Sequence, residues 1–191
     1  MVGVLAGCAT SQGLPPHITV TATPTAPTPG IPVSVDIPSI GVHVTSKNLI
    51  PVGLNPDNTM ATPDDRTPQV MGYYTHGAPP CQPGPDTVPA GLNAHIDGHK
   101  QQGALFNLKD IKPGATITVG LDNGTTCTYA VDELVKVSKT SFPTVLVWGS
   151  TPGPEIRVIS CGGPFIGPPL GYRDNLIAKG HMVSSIGGPP P

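Results

Sequence analysis

Arg157-Val158-Ile159-Ser160-Cys161-Gly162-Gly163 is a β-branched run that ends in a cysteine and two glycines. It reads as a strand that gives way to a flexible turn at Cys161, so the thiol can face a groove while the strand behind fixes its position. Twelve residues after the cysteine, Gly171-Tyr172-Arg173-Asp174-Asn175 supplies a permanent cation. Upstream, Asn93-Ala94-His95-Ile96-Asp97-Gly98 supplies a histidine, the proton carrier that a nucleophilic thiol works with.

The surrounding sequence has the periodicity of strands. Residues 31–40 and 41–44 read as β segments interrupted at Pro38, and residues 111–120 alternate apolar with polar. Leu121-Asp122-Asn123-Gly124-Thr125 then predicts a tight two-residue turn, pairing 116–119 with 126–137 as an antiparallel ribbon. Residues 156–161 and 175–179 are further strands. One short helix is expected over 102–108, where Ala104, Leu105 and Leu108 share a side. Seven or eight short strands with one or two short helices make a mainly β protein, closed or nearly closed as a barrel.

Composition narrows the function. The chain has 191 residues with 26 Pro and 24 Gly, which suits one domain of ordinary size with a linker and argues against long helices. Charged residues are 12%, aromatic residues 4% and the net charge −2, so neither a nucleic-acid footprint nor a polybasic membrane patch is present. Leu5-Ala6-Gly7-Cys8 has the small-residue pattern of a bacterial lipoprotein processing site, although the residues before Cys8 contain no Lys or Arg. Lipidation of Cys8 is the expectation, with a stray thiol in an N-terminal extension as the alternative. The expected organisation is a remnant of a signal or anchor over 1–10 and a Pro/Thr-rich linker over 11–32. A catalytic domain over 33–184 and a flexible tail over 185–191 complete it. The linker, extended near polyproline II, would reach on the order of 60 Å.

Several tracts together carry a resemblance. His95 in a His-Ile-Asp-Gly tract, Gly103-Ala104-Leu105-Phe106-Asn107-Leu108, Ser141-Phe142-Pro143-Thr144, Ser160-Cys161-Gly162-Gly163-Pro164-Phe165 and Gly171-Tyr172-Arg173-Asp174-Asn175 resemble a sortase, most nearly the actinobacterial class F. Val35-Asp36-Ile37-Pro38-Ser39-Ile40-Gly41-Val42 resembles the first strand of that family. The resemblance implies an eight-stranded closed β-barrel and a cysteine transpeptidase of Gram-positive bacteria. Such an enzyme cuts surface proteins at a Leu-Pro-x-Thr-Gly-like sorting signal and joins them to an amine, here an acceptor of the peptidoglycan-precursor kind. It implies Cys161, His95 and Arg173 as the catalytic set. Ser160 stands where the family often has threonine and Ala94 where it often has glycine; Ser160 is the candidate substrate-binding neighbour. No cofactor or metal is expected, and the protein is expected to act outside the cytoplasm as a monomer held to the outer face of the membrane by an N-terminal anchor.

The chemistry also stands without the family. Cleaving an amide through a thioester needs a thiolate, a proton for the departing amine and a donor for the developing oxyanion, which Cys161, His95 and Arg173 can respectively supply. The competing readings are a packed structural cysteine and a salt bridge from Arg173 to Asp174 or Asp97. His95-x-Asp97-x-His99 also has the residue types of a metal set, but Gly98 argues against the continuous strand that would align them. Asp57, Asp64 and Asp65 share a loop, yet an acidic loop alone does not make a calcium cage. Cys81 and Cys127 remain; in an extracytoplasmic protein they can form a disulfide, or stay as two free thiols. A thiol hydrolase of the same fold and a catalytically silent cell-envelope binding domain are the alternatives to the transpeptidase.

Overall fold

The computed structural model describes residues 29–82 and 88–187. Its strands in chain order are β1 (Pro32–Ile37), β2 (Val42–Thr45), β3 (Leu49–Val52), β4 (Met71–Tyr74), β5 (Ala90–Ala94), β6 (Asp97–Gly98), β7 (Gln101–Gln102), β8 (Thr116–Leu121), β9 (Thr126–Ser138), β10 (Glu155–Phe165) and β11 (Tyr172–Ile186). One α-helix, α1 (Thr144–Trp148), precedes β10, and short 3-10 turns follow β1, β2, β7 and β9.

Nine strands form one sheet in the order β2-β1-β8-β9-β11-β10-β5-β4-β3, while β6 and β7 make a separate ribbon. The mainly β expectation holds, with nine strands in the main sheet rather than eight. Its two edges, β2 and β3, are not hydrogen-bonded to each other, yet Val42 and Val44 of β2 join Leu49 of β3 in one continuous core. The sheet is therefore a nearly closed barrel whose last seam is sealed by packing. Alternation builds that core: Val35 and Ile37 on β1, Ile117 and Val119 on β8, and Cys127, Tyr129 and Val131 on β9 all point inward.

Three local expectations change. The β8–β9 connection is a three-residue hairpin, in which Gly124 N–H donates to Leu121 O and Leu121 N–H to Thr125 O. Only Gly124, at φ +81°, takes the left-handed conformation. This is a type I turn closed by a left-handed residue, the longer hairpin that Asp-Asn-Gly can also make. The helix expected over 102–108 is absent: β7 takes Gln101–Gln102, turns follow, and a 3-10 turn covers Leu108–Asp110. Leu105 and Leu108 are fully buried, so their spacing reports a plug under the barrel and not a helical face. The α-helix lies instead at Thr144–Trp148.

Strands β10 and β11 run well past the expected 156–161 and 175–179. Beyond Cys161 the pairing continues through glycine and proline, with an irregularity between Gly162 and Phe165. At the other end, Ser185 pairs with Cys127 and Ile186 with Thr126, so these two residues expected in the tail belong to β11. The thirteen-residue β9 offers them backbone partners, and a strand extends wherever its N–H and C=O groups are paired. Cys8, most of the expected linker, and residues 188–191 lie outside the described residues. Among the described residues no helix is long and apolar enough to cross a membrane.

Candidate active site

The sheet order places the candidate side chains in a row. β10 runs parallel to β5 as far as Ile159 opposite Asn93, and Cys161 and His95, each two residues further on, line the same groove. On its other side β10 pairs with β11, where Cys161 faces Asn175 and Gly162 faces Asp174. β11 pairs in turn with β9, where Asp174 faces Ser138, the residue before Lys139. The end of this four-strand layer thus presents His95, Cys161, the Arg173-Asp174-Asn175 tract and Lys139 side by side.

His95 is half-buried and already oriented. Its Nε2 hydrogen-bonds Pro63 O at 2.7 Å, which places a proton on Nε2 and leaves Nδ1 as the free ring nitrogen when the imidazole is neutral. Its backbone is held too, because His95 O accepts from Leu105 N–H at 3.2 Å. The residues read as a helix are therefore a brace for the histidine. On the neighbouring strand the buried Ser160 donates its Oγ–H to Ala94 O at 2.7 Å, tying β10 to β5 immediately next to both Cys161 and His95.

Cys161 is the free cysteine among the described residues and is partly exposed. Its nearest cation is Lys139, whose Nζ lies 3.4 Å from Sγ and 3.2 Å from Leu170 O. Arg173 is turned elsewhere. Its Nε and Nη2 donate to the two carboxylate oxygens of the buried Asp174 at 2.9 and 3.0 Å, while its own side chain stays half exposed. This pairing holds the Asp174 carboxyl below its usual range, through the hydrogen bonds first and the opposite charge second, and raises Arg173 by the same causes. Gly163, at φ +72°, makes room for it: a Cβ there would meet Asp174 Oδ2 at 2.2 Å.

Cys161, His95 and Lys139 line one groove of about 930 Å³, a volume suited to an extended peptide segment; Arg173 does not line it. Leu54 and Met60 of the β3–β4 loop and Tyr74 and Trp148 give it a largely apolar wall. The loop is self-braced, since Leu54 bridges to Met60, the Asp57 carboxylate accepts from Thr59, and Asp64 pairs with Arg66. Trp148 lies on β5 because Gly91 has no side chain, and a Cβ there would be 2.8 Å from the indole. Arg157, only 2% exposed, ion-pairs with Glu155 at 2.7 Å and donates from Nε to Val147 O at 3.1 Å, anchoring α1 to β10.

Sequence reasoning passed over Lys139, Arg157, Trp148 and Asn93. A lone arginine two residues after a glutamate inside a buried run was the one legible signal, because a buried charge needs a partner. The potential metal set does not converge. His95 binds Pro63 O, Asp97 accepts from Tyr172 Oη, and His99 pairs with Asp65 at 3.7 Å. Among the described residues no group of three or more His, Cys, Asp or Glu side chains comes together. The Asp97 hydrogen bond, with burial second, pushes the Tyr172 phenol up to about 12. Cys81 and Cys127, which do not line the groove, form a disulfide with an S–S length of 2.01 Å and Cα atoms 5.3 Å apart. His43 and His181 bind Asp36 and Asp132.

Residues 35–183 match the model of the Sortase domain family. Among solved structures, the chain is similar to a lid mutant of sortase A from Corynebacterium diphtheriae, at 22% identity and a TM-score of 0.57 over 79% of this chain and 69% of that one. It is similar to sortase C-1 from Actinomyces oris, at 22% identity and a TM-score of 0.58 over 82% and 75%. It also resembles sortase C1 from Streptococcus agalactiae, at 19% identity and a TM-score of 0.60 over 82% and 69%. No curated protein matches it in sequence. The structural likenesses show the fold, and the family match extends over well more than half of the sequence: the chain belongs to the sortase family of cysteine transpeptidases.

Proposed function

We propose that this protein cleaves a Leu-Pro-x-Thr-Gly-like sorting signal through a thioester on Cys161 and passes the acyl group to an amine, of the peptidoglycan-precursor kind, at the cell wall. The observation that supports the reading is that His95 and Cys161, each just past the parallel β5–β10 pairing, line one largely apolar groove. The Cys161 thiolate attacks the threonine carbonyl carbon, forming a C–S bond and an oxyanion. The C–N bond breaks as His95 gives a proton to the departing glycine amine, leaving a thioester. The acceptor amine then attacks the same carbon, loses its proton to His95, and the C–S bond breaks to return the thiolate.

In this scheme Arg173, which lies outside the groove lining while paired with Asp174, supplies donors to the substrate carbonyl by turning its free guanidinium edge toward the bound peptide. Asp174 occupies Nε and one Nη2 hydrogen, which leaves both Nη1 hydrogens for a ligand and sets the plane in which they point. The apolar wall of Leu54, Met60 and Trp148 suits the Leu-Pro part of the signal. The class F assignment rests on the tracts around His95, Cys161 and Arg173. An anchor at Cys8 and a Pro/Thr-rich tether would place the domain at the outer face of the membrane.

Intact mass of the protein after incubation with a Leu-Pro-x-Thr-Gly peptide, with no amine added, tests the reading. The expected adduct equals the peptide through threonine in the native chain and is missing in Cys161→Ala. Adding an amine should convert the adduct to the transfer product; release of free acid alone would make the protein a hydrolase. A peptide that binds yet yields neither adduct nor cleavage would leave a binding domain.

A further inference from the structure

We propose that Lys139 is a catalytic residue, the cation that donates to Cys161 Sγ and stabilises the attacking thiolate as it forms, so that Arg173 is left to bind substrate. The proposal rests on the transpeptidase reading only for its purpose; the contact stands in the fold itself. Lys139 Nζ lies 3.4 Å from Sγ and lines the same groove. Among the described residues it makes no ion pair with a carboxylate, whereas the Arg173 charge is matched by Asp174 at 2.9 Å. The thiolate and not the thiol attacks a carbonyl, and an adjacent unmatched cation favours it. Lys139 is the cation in hydrogen-bond contact with the sulfur, whereas Arg173 donates to Asp174.

Its position follows from the sheet. Lys139 begins the turn that ends β9, and Ser138 before it pairs with Asp174 on β11. From there the side chain crosses β11 to reach β10, and its second bond, to Leu170 O at 3.2 Å, holds the ammonium in place from the β10–β11 loop. The other charged or titratable groups that line the groove or act on its residues are His95 after β5, Tyr74 and His76 from β4 and the loop after it, Asp57 from the β3–β4 loop, Tyr172 and the Arg173–Asp174 pair from β11, and Lys136 of β9, which acts on Asp174. His95 is the proton carrier, Tyr172 holds its proton to about pH 12, Arg173 is matched, and Asp57 is bound by Thr59. Lys139 is the constant positive charge that contacts the sulfur itself.

The bland alternative is that Lys139 only tethers the loop at Leu170. Alkylation of Cys161 by iodoacetamide, a neutral reagent, separates the two and needs no peptide substrate. The rate is read at the Cys161-containing fragment by mass spectrometry, at pH 7 and at pH 10, in the full native chain, Lys139→Gln and Lys139→Arg. Glutamine can still donate to Leu170 O but carries no charge. The pH 7 rate relative to the pH 10 rate should fall about tenfold in Lys139→Gln and return to within about threefold of native in Lys139→Arg. An unchanged ratio in Lys139→Gln would overturn the proposal and leave the tether. Should that variant not fold, Lys139→Met carries the same expectation, and an Arg variant that folds without restoring the ratio also overturns it. Failure of every peptide to acylate Cys161 while the ratio still falls would sink the transpeptidase reading and spare this one.

Discussion

The barrel half made by β1, β2, β8 and β9 and the layer made by β5, β10 and β11 are built on opposite terms. In the first, the inward residues are apolar, from Val35 and Ile37 through Ile117 and Val119, and the Cys81–Cys127 disulfide is set among them. In the second lie four of the five buried polar residues among those described, Asn93, Arg157, Ser160 and Asp174. A buried polar group costs free energy unless it is bonded, so such a concentration persists where it positions something. Here Ser160 locks the strand end beside Cys161, Arg157 anchors the helix that walls the groove, and Asp174 aims Arg173. Asn93 is the partial exception: its Nδ2 donates to Ala61 O at 2.9 Å, while its buried Oδ1 finds no partner. One half supplies stability and the other spends some of it on placement.

If that division is right, perturbing each half should move a different observable. The largest effect belongs to the groove. His95→Ala should lower kcat/KM for peptide cleavage by on the order of 10²–10⁴, with thermal unfolding little changed. A comparable activity with the imidazole gone would show that the parallel register is not what places the proton carrier.

A smaller effect, in the other observable, is expected for the body. Replacing Cys81 and Cys127 by serine should cost about 2–4 kcal/mol of unfolding free energy in a denaturant titration, because the bridge closes a long loop of the unfolded chain. Acylation of Cys161 at 25 °C should persist. Loss of acylation at a temperature where the variant is still folded would mean that the two halves are coupled.

The smallest expected effect sharpens the electrostatics of the groove side. Asp174 is held below the ordinary carboxylate value near 4 by its bonds to Arg173. Its ionised form therefore contributes stability above that value, and the contribution is lost as pH falls through the lower value of the folded protein. The melting temperature of the native chain should exceed that of Asp174→Asn at neutral pH, with the gap closing below pH 4. A gap that stays constant with pH would show that the pair contributes through geometry alone.

Much of the site could be read from residue order, and the reasons differ by residue. Cys161 is legible because a β-branched run breaks into glycines directly after it, and His95 because its tract is specific. Lys139 is illegible: nothing in Ser138-Lys139-Thr140 marks a lysine that reaches across a neighbouring strand. Arg173 and Asp174 are adjacent in the chain, so their ion pair was one of the readings available, yet only the bulged backbone at Gly163 shows why the guanidinium folds back onto its neighbour. The helix expected over 102–108 fails for a related reason, since two leucines three residues apart satisfy a helix or a buried turn equally well.

Local pattern by itself determined the mainly β character and the hairpin near Asn123-Gly124, and it singled out the thiol and the imidazole proposed here for acyl transfer. These are properties of short stretches, where side-chain alternation and turn chemistry act over a few residues. Tertiary structure alone decided which groups meet. The parallel pairing of β5 with β10, separated by some sixty residues of chain, carries His95 and Cys161 to one groove. The order β9-β11-β10 brings Lys139 to the sulfur while Asp174 takes Arg173. Contacts of that kind depend on the register between strands distant in sequence, which no local preference encodes.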